Sequence, residues 1–180
     1  MTIDREAPTA VFFVQSGYPI PKKSEAFYYR RSSAGSKLSP RDVDSSYIAS
    51  AKVFHVTGIT PALSDTAREA TALAVRAAKD HKLTISLDTN IRLKLWKEQA
   101  AREMLLPLCK MADIVFTSVP DAKIILGLDD PHEIAKALHK NRVTTVIVKL
   151  GSQGSFASSG GETITQPMIP ASVEDHYYCH

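Results

Sequence analysis

Most of the chemistry on offer lies in five consecutive residues, Asp88-Thr89-Asn90-Ile91-Arg92. They follow the apolar positions Leu83, Ile85 and Leu87, and so fall where a strand would end. Arg92 there could hold a carboxylate or phosphate through two parallel hydrogen bonds. The same residue types also suit a plain turn, with a capping Asp, a turn Asn and a solvated Arg, and the local pattern leaves both readings open. A second cluster is Lys149-Leu150-Gly151-Ser152-Gln153-Gly154, whose glycines could let backbone amides approach a phosphate. Its G-x-x-G spacing also suits a simple hairpin. It matches neither the Walker nor the Rossmann pattern, which disfavours P-loop enzymes and simple dehydrogenases. Lys22, Lys23, Arg30, Arg31 and Lys37 crowd together and read either as a solvated surface or as an anion site.

Other chemistries find little support. No G-x-S-x-G elbow is present, so no hydrolase is suggested. The six histidines show no metal-ligand spacing. His176, Cys179 and His180 are ligand types, but they sit at the extreme end, and no metal site is expected. Cys109 falls on the inner side of a predicted helix and reads as packing. With only Cys109 and Cys179, there is no disulfide framework, which fits a reducing cytoplasm.

Composition sets the outer bounds. The 180 residues are 44% hydrophobic and 23% charged, which is ordinary globular composition and excludes collagen-like or disordered chains. There are only 8 glycines, against about 13 at average usage. That shortage argues against several glycine-rich phosphate loops. A net charge of +3 is too small to argue nucleic-acid binding. No run approaches the length of a membrane span, and MTIDREAPTA is no secretory signal.

The elements that must position these residues fall into two regimes. Residues 11–31 alternate like strands around Gly17-Tyr18-Pro19-Ile20-Pro21 and predict an antiparallel hairpin, with Tyr28 and Arg30 on one face. From Ser39 the pattern becomes helix–strand alternation. Ser39-Pro40-Arg41-Asp42 predicts a helix start, with the helix running to about Ala51. Ser64 should cap a helix that buries Ala67, Ala70, Leu73, Ala74 and Ala77. A helix over 97–112 should kink or break at Pro107. Ser118 and Asp121 stand at capping-box spacing for a short helix ending near Gly127. Asp130 starts another, with Ile134, Ala135 and Leu138 inward. Strands near 53, 83, 113 and 144 then imply a parallel sheet covered on both faces, with a closing hairpin around Ser159-Gly160-Gly161. Ligands of such sheets sit at the carboxyl ends of the strands, which selects Thr57-Gly58-Ile59, residues 88–92, Thr117-Ser118 and Lys149-Leu150-Gly151.

Several motifs occur together and in order: Gly17-Tyr18-Pro19-Ile20-Pro21, Tyr28-Tyr29-Arg30-Arg31-Ser32-Ser33-Ala34-Gly35-Ser36, His55-Val56-Thr57-Gly58-Ile59-Thr60, and Asp88-Thr89-Asn90-Ile91-Arg92 followed by Leu95-Trp96. In these the chain resembles the PfkB (ribokinase-like) sugar kinases, and most closely the 2-keto-3-deoxygluconate kinases, including forms that accept the galactonate epimer. The resemblance runs from about Ala10 to Asp175. It implies a ribokinase-like α/β core with a β-lid that often forms a dimer clasp. It implies ATP and Mg²⁺ as cofactors of the intact family, a sugar-acid substrate, and no nucleic-acid or membrane partner. By motif position Phe12, Tyr28, Arg30, Ile59 and Arg92 would contact the sugar acid. Asn90, Ser118, Lys149, Gly151 and Gly154 would line the nucleotide side. Ser32 stands where relatives usually carry Gly, and a different backbone angle there would shift Arg30.

The resemblance also marks absences. A glycine-rich substrate motif would precede Met1. Val173-Glu174-Asp175 matches the approach to D-x-x-G-A-G-D, whose amides form the anion hole and whose last Asp is the base, yet His176-Tyr-Tyr-Cys-His180 follows. The expected organisation is an irregular start at 1–10, a β-lid hairpin at 11–31, a partial core at 32–175 and an unrelated tail at 176–180. This reading is a kinase truncated at both ends by a frameshifted or split reading frame, with no catalytic residue of its own and inactive alone. The alternatives are a non-catalytic fragment with residual sugar-acid binding or dimerisation, or a kinase of another sugar such as fructose. Exposed sheet edges would make it poorly soluble or self-associating.

Overall fold

The computed structural model describes residues 3–16 and 24–170. The expected loop at 17–21 and the tail at 176–180 lie outside the described residues. Strands β1 (Val11–Ser16) and β2 (Ser24–Tyr29) form the expected antiparallel hairpin, in a register that pairs Phe12 with Tyr28 and Phe13 with Phe27. Both faces of this ribbon carry exposed aromatic rings, among them Phe12, Phe13, Tyr28 and Tyr29.

The predicted single helix from Ser39 to Ala51 is two pieces. A 3-10 turn at Pro40–Asp42 is closed by the Asp42 carboxylate, which accepts from both the Ser39 amide and the Ser39 hydroxyl at 2.9 Å. Val43 is then extended, and Asp44 caps a new helix, α1 (Ser45–Ala49), by accepting from the amides of Ser46 and Tyr47. A short carboxylate side chain competes for backbone N–H groups in non-helical geometry, so Asp44 restarts the helix instead of continuing it.

The core follows as β3 (Val53–Thr57), α2 (Asp65–Asp80), β4 (Thr84–Asp88), α3 (Glu98–Met111), β5 (Ile114–Ser118), α4 (Val119–Leu126), α5 (Pro131–His139), β6 (Thr145–Lys149), β7 (Ser155–Ser159) and β8 (Glu162–Gln166). These strands lie in the order β3-β4-β5-β6-β7-β8. The first four are parallel, as their spacing predicted, and the expected closing hairpin is β7 and β8, which add antiparallel beside β6 and make the whole sheet mixed.

Two helix expectations need correction. In α2 the buried stripe is Ala67, Ala70, Thr71, Val75, Ala77 and Ala78, while Leu73 is 41% exposed. The stripe advances by three and four from Ala67 and passes Leu73 on its outer side. In α3 the helix runs through Pro107 to Met111, so of the kink or break expected there the break does not occur. Pro107 costs about 3 kcal/mol in a helix interior. Burial of Leu105 and Leu108 in the same stretch returns about 1.5–3 kcal/mol each, and that outweighs it.

One sheet face is packed and the other is not. Val56, Ile85, Leu87, Val115, Val146, Val148 and Phe156 share one face by register and are buried. Consecutive strand order with right-handed crossovers puts the connecting helices on one side, and they pack in series, α2 on α3, α3 on α4 and α4 on α5. The opposite face carries Ile114, Phe116 and Ile147 only half-buried, and Ile164 exposed. The expected covering of both faces is therefore met on one face among the described residues.

Cys109 packs inside α3, and burial pushes its thiol up from an ordinary value near 9 to about 12. The folded-state value lies above the unfolded one. The protonated thiol's contribution to stability is therefore complete below about pH 9 and is lost as pH rises toward 12. Since thiolate is the reactive species, a Cys179→Ser variant should resist iodoacetamide at pH 8 until denatured. Mass spectrometry showing stoichiometric native labelling of Cys109 would contradict this packing.

Candidate functional site

The carboxyl ends of β3, β4, β5 and β6 meet at one edge. Register sets Thr57 beside Asp88 and Ser118 beside Lys149. The segment after β4 is held there by several short contacts. The Gly58 amide donates to the Asp88 carbonyl at 2.9 Å, and the Thr89 amide donates to the Phe116 carbonyl at 2.9 Å. A Cβ on Gly58 would collide with the Thr89 carbonyl oxygen, so the backbone of β3's exit can lie against this loop only as glycine.

Asn90 sits at the tip with φ 37°, in the left-handed region that non-glycine residues rarely enter and that Asn tolerates better than most. Its side-chain amide reaches toward the Thr57 hydroxyl at 3.4 Å. On either side of it the chain is bound to one group. The Thr89 hydroxyl donates to Oδ2 of Asp121 at 2.7 Å, and the Ile91 amide donates to the same oxygen at 3.1 Å. Asp121 is buried in the first turn of α4, at 8% exposure.

Asp121 is the residue the sequence pattern misassigned. Its spacing from Ser118 predicted a reciprocal capping pair. The Ser118 hydroxyl does accept from the Asp121 amide at 3.2 Å, but the Asp121 carboxylate turns across to the β4 loop. An acid in the first turn of a helix is ordinary capping chemistry. Only its burial, which local sequence does not show, distinguishes it.

The predicted nucleotide-side residues are engaged mainly with residues outside their own set. Lys149 on β6 reaches over β5 to the Asp88 carboxylate at 2.8 Å. Ser118 is the cap of α4, and Gly151 opens a 3-10 turn at φ 60°. Gly154 has a structural requirement of its own, because at φ 97° an added Cβ would collide with the Gln166 carbonyl. Among the described residues no group of three His, Cys, Asp or Glu could hold a metal ion.

The predicted sugar-side residues divide. Tyr28 and Arg30 line a cleft of about 800 Å³ between the β1–β2 hairpin and the core. The Arg30 guanidinium lies 4.0 Å from the centre of the Tyr28 ring, and the Phe12 ring stands 5.9 Å from that of Tyr28. Arg31, Lys37 and Lys94 also line the cleft, and none of its lining residues is acidic. The Nε atom of Arg30 is buried and has no hydrogen-bond partner among the described residues. Lys94 ties the hairpin to the core by donating to the Ala26 carbonyl at 3.1 Å. Half-buried Ile59 and Arg92 lie at the ends of β3 and β4, outside the cleft lining. Trp96, buried just beyond, has an indole N–H without an acceptor among the described residues.

Ser32 takes up the backbone question that the sequence raised. Its φ is 59°, the left-handed conformation that glycine adopts freely. The turn after Arg30 therefore keeps a glycine-like course, at a cost of about 1–2 kcal/mol for the side chain. A Ser32→Gly variant should be more stable by about 1 kcal/mol, read as a higher urea midpoint at unchanged slope. A lower midpoint would mean that the serine stabilises this turn.

Comparison with known proteins agrees with this architecture. A 2-dehydro-3-deoxygluconokinase of Thermoproteus tenax is 41% identical over 175 residues, covering 96% of this chain and 53% of the relative. A PfkB protein from Polaromonas sp. JS666 superposes with a TM-score of 0.84 at 24% identity, over 93% of this chain and 56% of that one. A candidate ribokinase II from E. coli, in complex with ATP and Mg²⁺, superposes with a TM-score of 0.81 at 24% identity, over 93% and 52% of the two chains. The chain spans about half the length of the curated relatives it matches. The family described as pfkB family carbohydrate kinase matches residues 1–175, and this chain belongs to that family.

Proposed function

We propose that these residues form the sugar-acid half of a kinase that transfers the γ-phosphoryl group of ATP to 2-keto-3-deoxygluconate or its galactonate epimer. The observation that carries this reading is Arg30: a guanidinium stacked on Tyr28 at the wall of a cleft lined by cations and no carboxylate. Cations lining a cleft without a carboxylate favour an anionic ligand, which a guanidinium would hold through charge-assisted hydrogen bonds. The 41% identical relative named as a 2-dehydro-3-deoxygluconokinase supports the same substrate class.

In this reading Arg30 and Arg92 hold the carboxylate and neighbouring hydroxyls, while Phe12, Tyr28 and Ile59 supply apolar walls. Asn90, Ser118, Lys149, Gly151 and Gly154 face the nucleotide, which supplies the phosphoryl group, with Mg²⁺ to offset its charge. Lys149 is the cation suited to the phosphates, and it is held in place by Asp88. The 180 residues contain no Gly-Ala-Gly-Asp run. By themselves they are expected to bind the sugar acid without appreciable turnover, since neither general base nor anion hole is in this set.

Titration calorimetry of the chain with 2-keto-3-deoxygluconate tests the reading. Arg92→Ala should weaken binding by about 10- to 100-fold, the value of a charge-assisted hydrogen bond, and fructose should bind more weakly than the acid. Equal heats for fructose would point to a neutral sugar, and no heat in the parent chain would remove the reading. A coupled assay showing turnover by the chain alone would overturn its inactivity.

The hairpin also supports a homodimer through the β-lid. Phe12 and Tyr28 lie on one face, and Val11, Phe13, Phe27 and Tyr29 on the other, all exposed. Val11 and Phe13 stand outside the cleft lining, and a two-stranded ribbon with exposed aromatic rings there gains from a partner. Sedimentation should show a dimer that Phe13→Glu shifts to monomer; an unchanged monomer in both would exclude this surface.

A further inference from the structure

The loop that presents Asn90 and Arg92 is held by a side chain from a different helix. Asn90 is in the left-handed region at φ 37°, a conformation that persists in a non-glycine residue only when its surroundings over-determine it. Here both neighbours are bound to one oxygen. Oδ2 of Asp121 accepts the Thr89 hydroxyl at 2.7 Å and the Ile91 amide at 3.1 Å. Thr89 is 1% exposed, Ile91 9% and Asp121 8%, so water does not compete for these donors. The Thr89 hydroxyl also lies 3.1 Å from that of Thr117, the residue preceding Ser118, the N-cap of α4.

We propose that Asp121 is a positioning residue for the sugar-acid site. Its buried carboxylate clamps the chain on both sides of Asn90, and this fixes the direction in which Arg92 leaves the loop. The inference rests on the reading of Arg92 as a contact for the acid. It adds that the start of α4, remote from the cleft in sequence, sets that contact. A buried carboxylate that accepts two bonds from consecutive turns of one loop acts as a bracket. Because both donors meet the same oxygen, an amide carbonyl could replace it, whereas Asp121→Ala removes the acceptor altogether.

The test is residue-specific amide exchange by NMR, combined with calorimetry on the same chain. In Asp121→Ala the Ile91 amide should exchange about ten-fold faster, as expected for a buried bond lost. Amides of Val115 in β5 and Ile125 in α4 should keep their protection. Thr89→Val should reproduce part of the effect, and Thr89→Ser, which restores the hydroxyl, should not. Affinity for 2-keto-3-deoxygluconate should fall in Asp121→Ala, and the double variant with Arg92→Ala should be no weaker than Arg92→Ala alone, because the clamp acts through Arg92.

Unchanged exchange at Ile91 would overturn the proposal, as would an equal loss of protection across α4 and β5, which marks general destabilisation. Additive losses in the double variant would also overturn it. If the parent chain binds no sugar acid, the substrate reading fails and the exchange data alone decide whether the clamp exists. If Asp121→Ala does not fold, the Thr89 pair carries the same comparison.

Discussion

The register of the parallel strands is the constraint from which the rest follows, and Asp113 holds it. Its amide donates to the Ile85 carbonyl at 2.9 Å, and its carboxylate accepts from the Ile85 amide at 2.8 Å. Its carbonyl accepts from the amides of Thr144 and Thr145 and from the Thr144 hydroxyl. One residue at the amino end of the sheet thus binds β4, β5 and β6 together. Because side chains alternate along a strand, a slip of one residue would turn Val115 and Val146 out of the core. It would also part the residues that end the strands at the opposite edge, where Ser118 meets Lys149 and Lys149 reaches Asp88.

At that edge the structure places tight contacts and strained backbone where the candidate ligands would lie. Gly58 presses on the Thr89 carbonyl, Asn90 holds a left-handed angle, and Ser32 does the same behind Arg30. Such conformations cost of order 1–3 kcal/mol each and survive where neighbours over-determine them. The stability that allows this comes from the packed face, where Ile85, Leu87, Val115, Val146 and Val148 are wholly or nearly wholly buried. The opposite face, with Ile114, Phe116, Ile147 and Ile164 incompletely covered, contributes less. That imbalance suits a chain that spans about half the length of its relatives.

Much of this was legible from local pattern. Ser64, Ser118 and Asp130 begin α2, α4 and α5 as their capping chemistry predicts, and Gly127 ends α4 in the left-handed conformation. The alternation in 11–16 and 24–29 marks the hairpin and sets Tyr28 and Arg30 on one face. Failures occurred where a long-range term competed with a local one. Pro107 stays inside α3 because the helix is buried along Leu105 and Leu108. Leu73 faces outward because the stripe of α2 is set by what it packs against, and apolar character alone does not reveal that direction. The closing hairpin was legible in the sequence, but its antiparallel pairing onto β6 was not, because that pairing joins it to the open edge of a sheet that must form first.

The sequence by itself determined the element types, most of their boundaries, and the motifs that place the chain among sugar kinases. These depend on interactions within a few residues, such as capping bonds, turn geometry and the two hydrophobic periods. Tertiary structure alone decided that Asp121 faces Thr89 and Ile91, that Lys149 pairs with Asp88, and that Arg30 stacks on Tyr28 beside a cleft closed by Lys94. Most of these contacts join residues from different elements. Their partners are chosen by strand register and by which polar groups are buried together, and neither quantity exists until the sheet has formed.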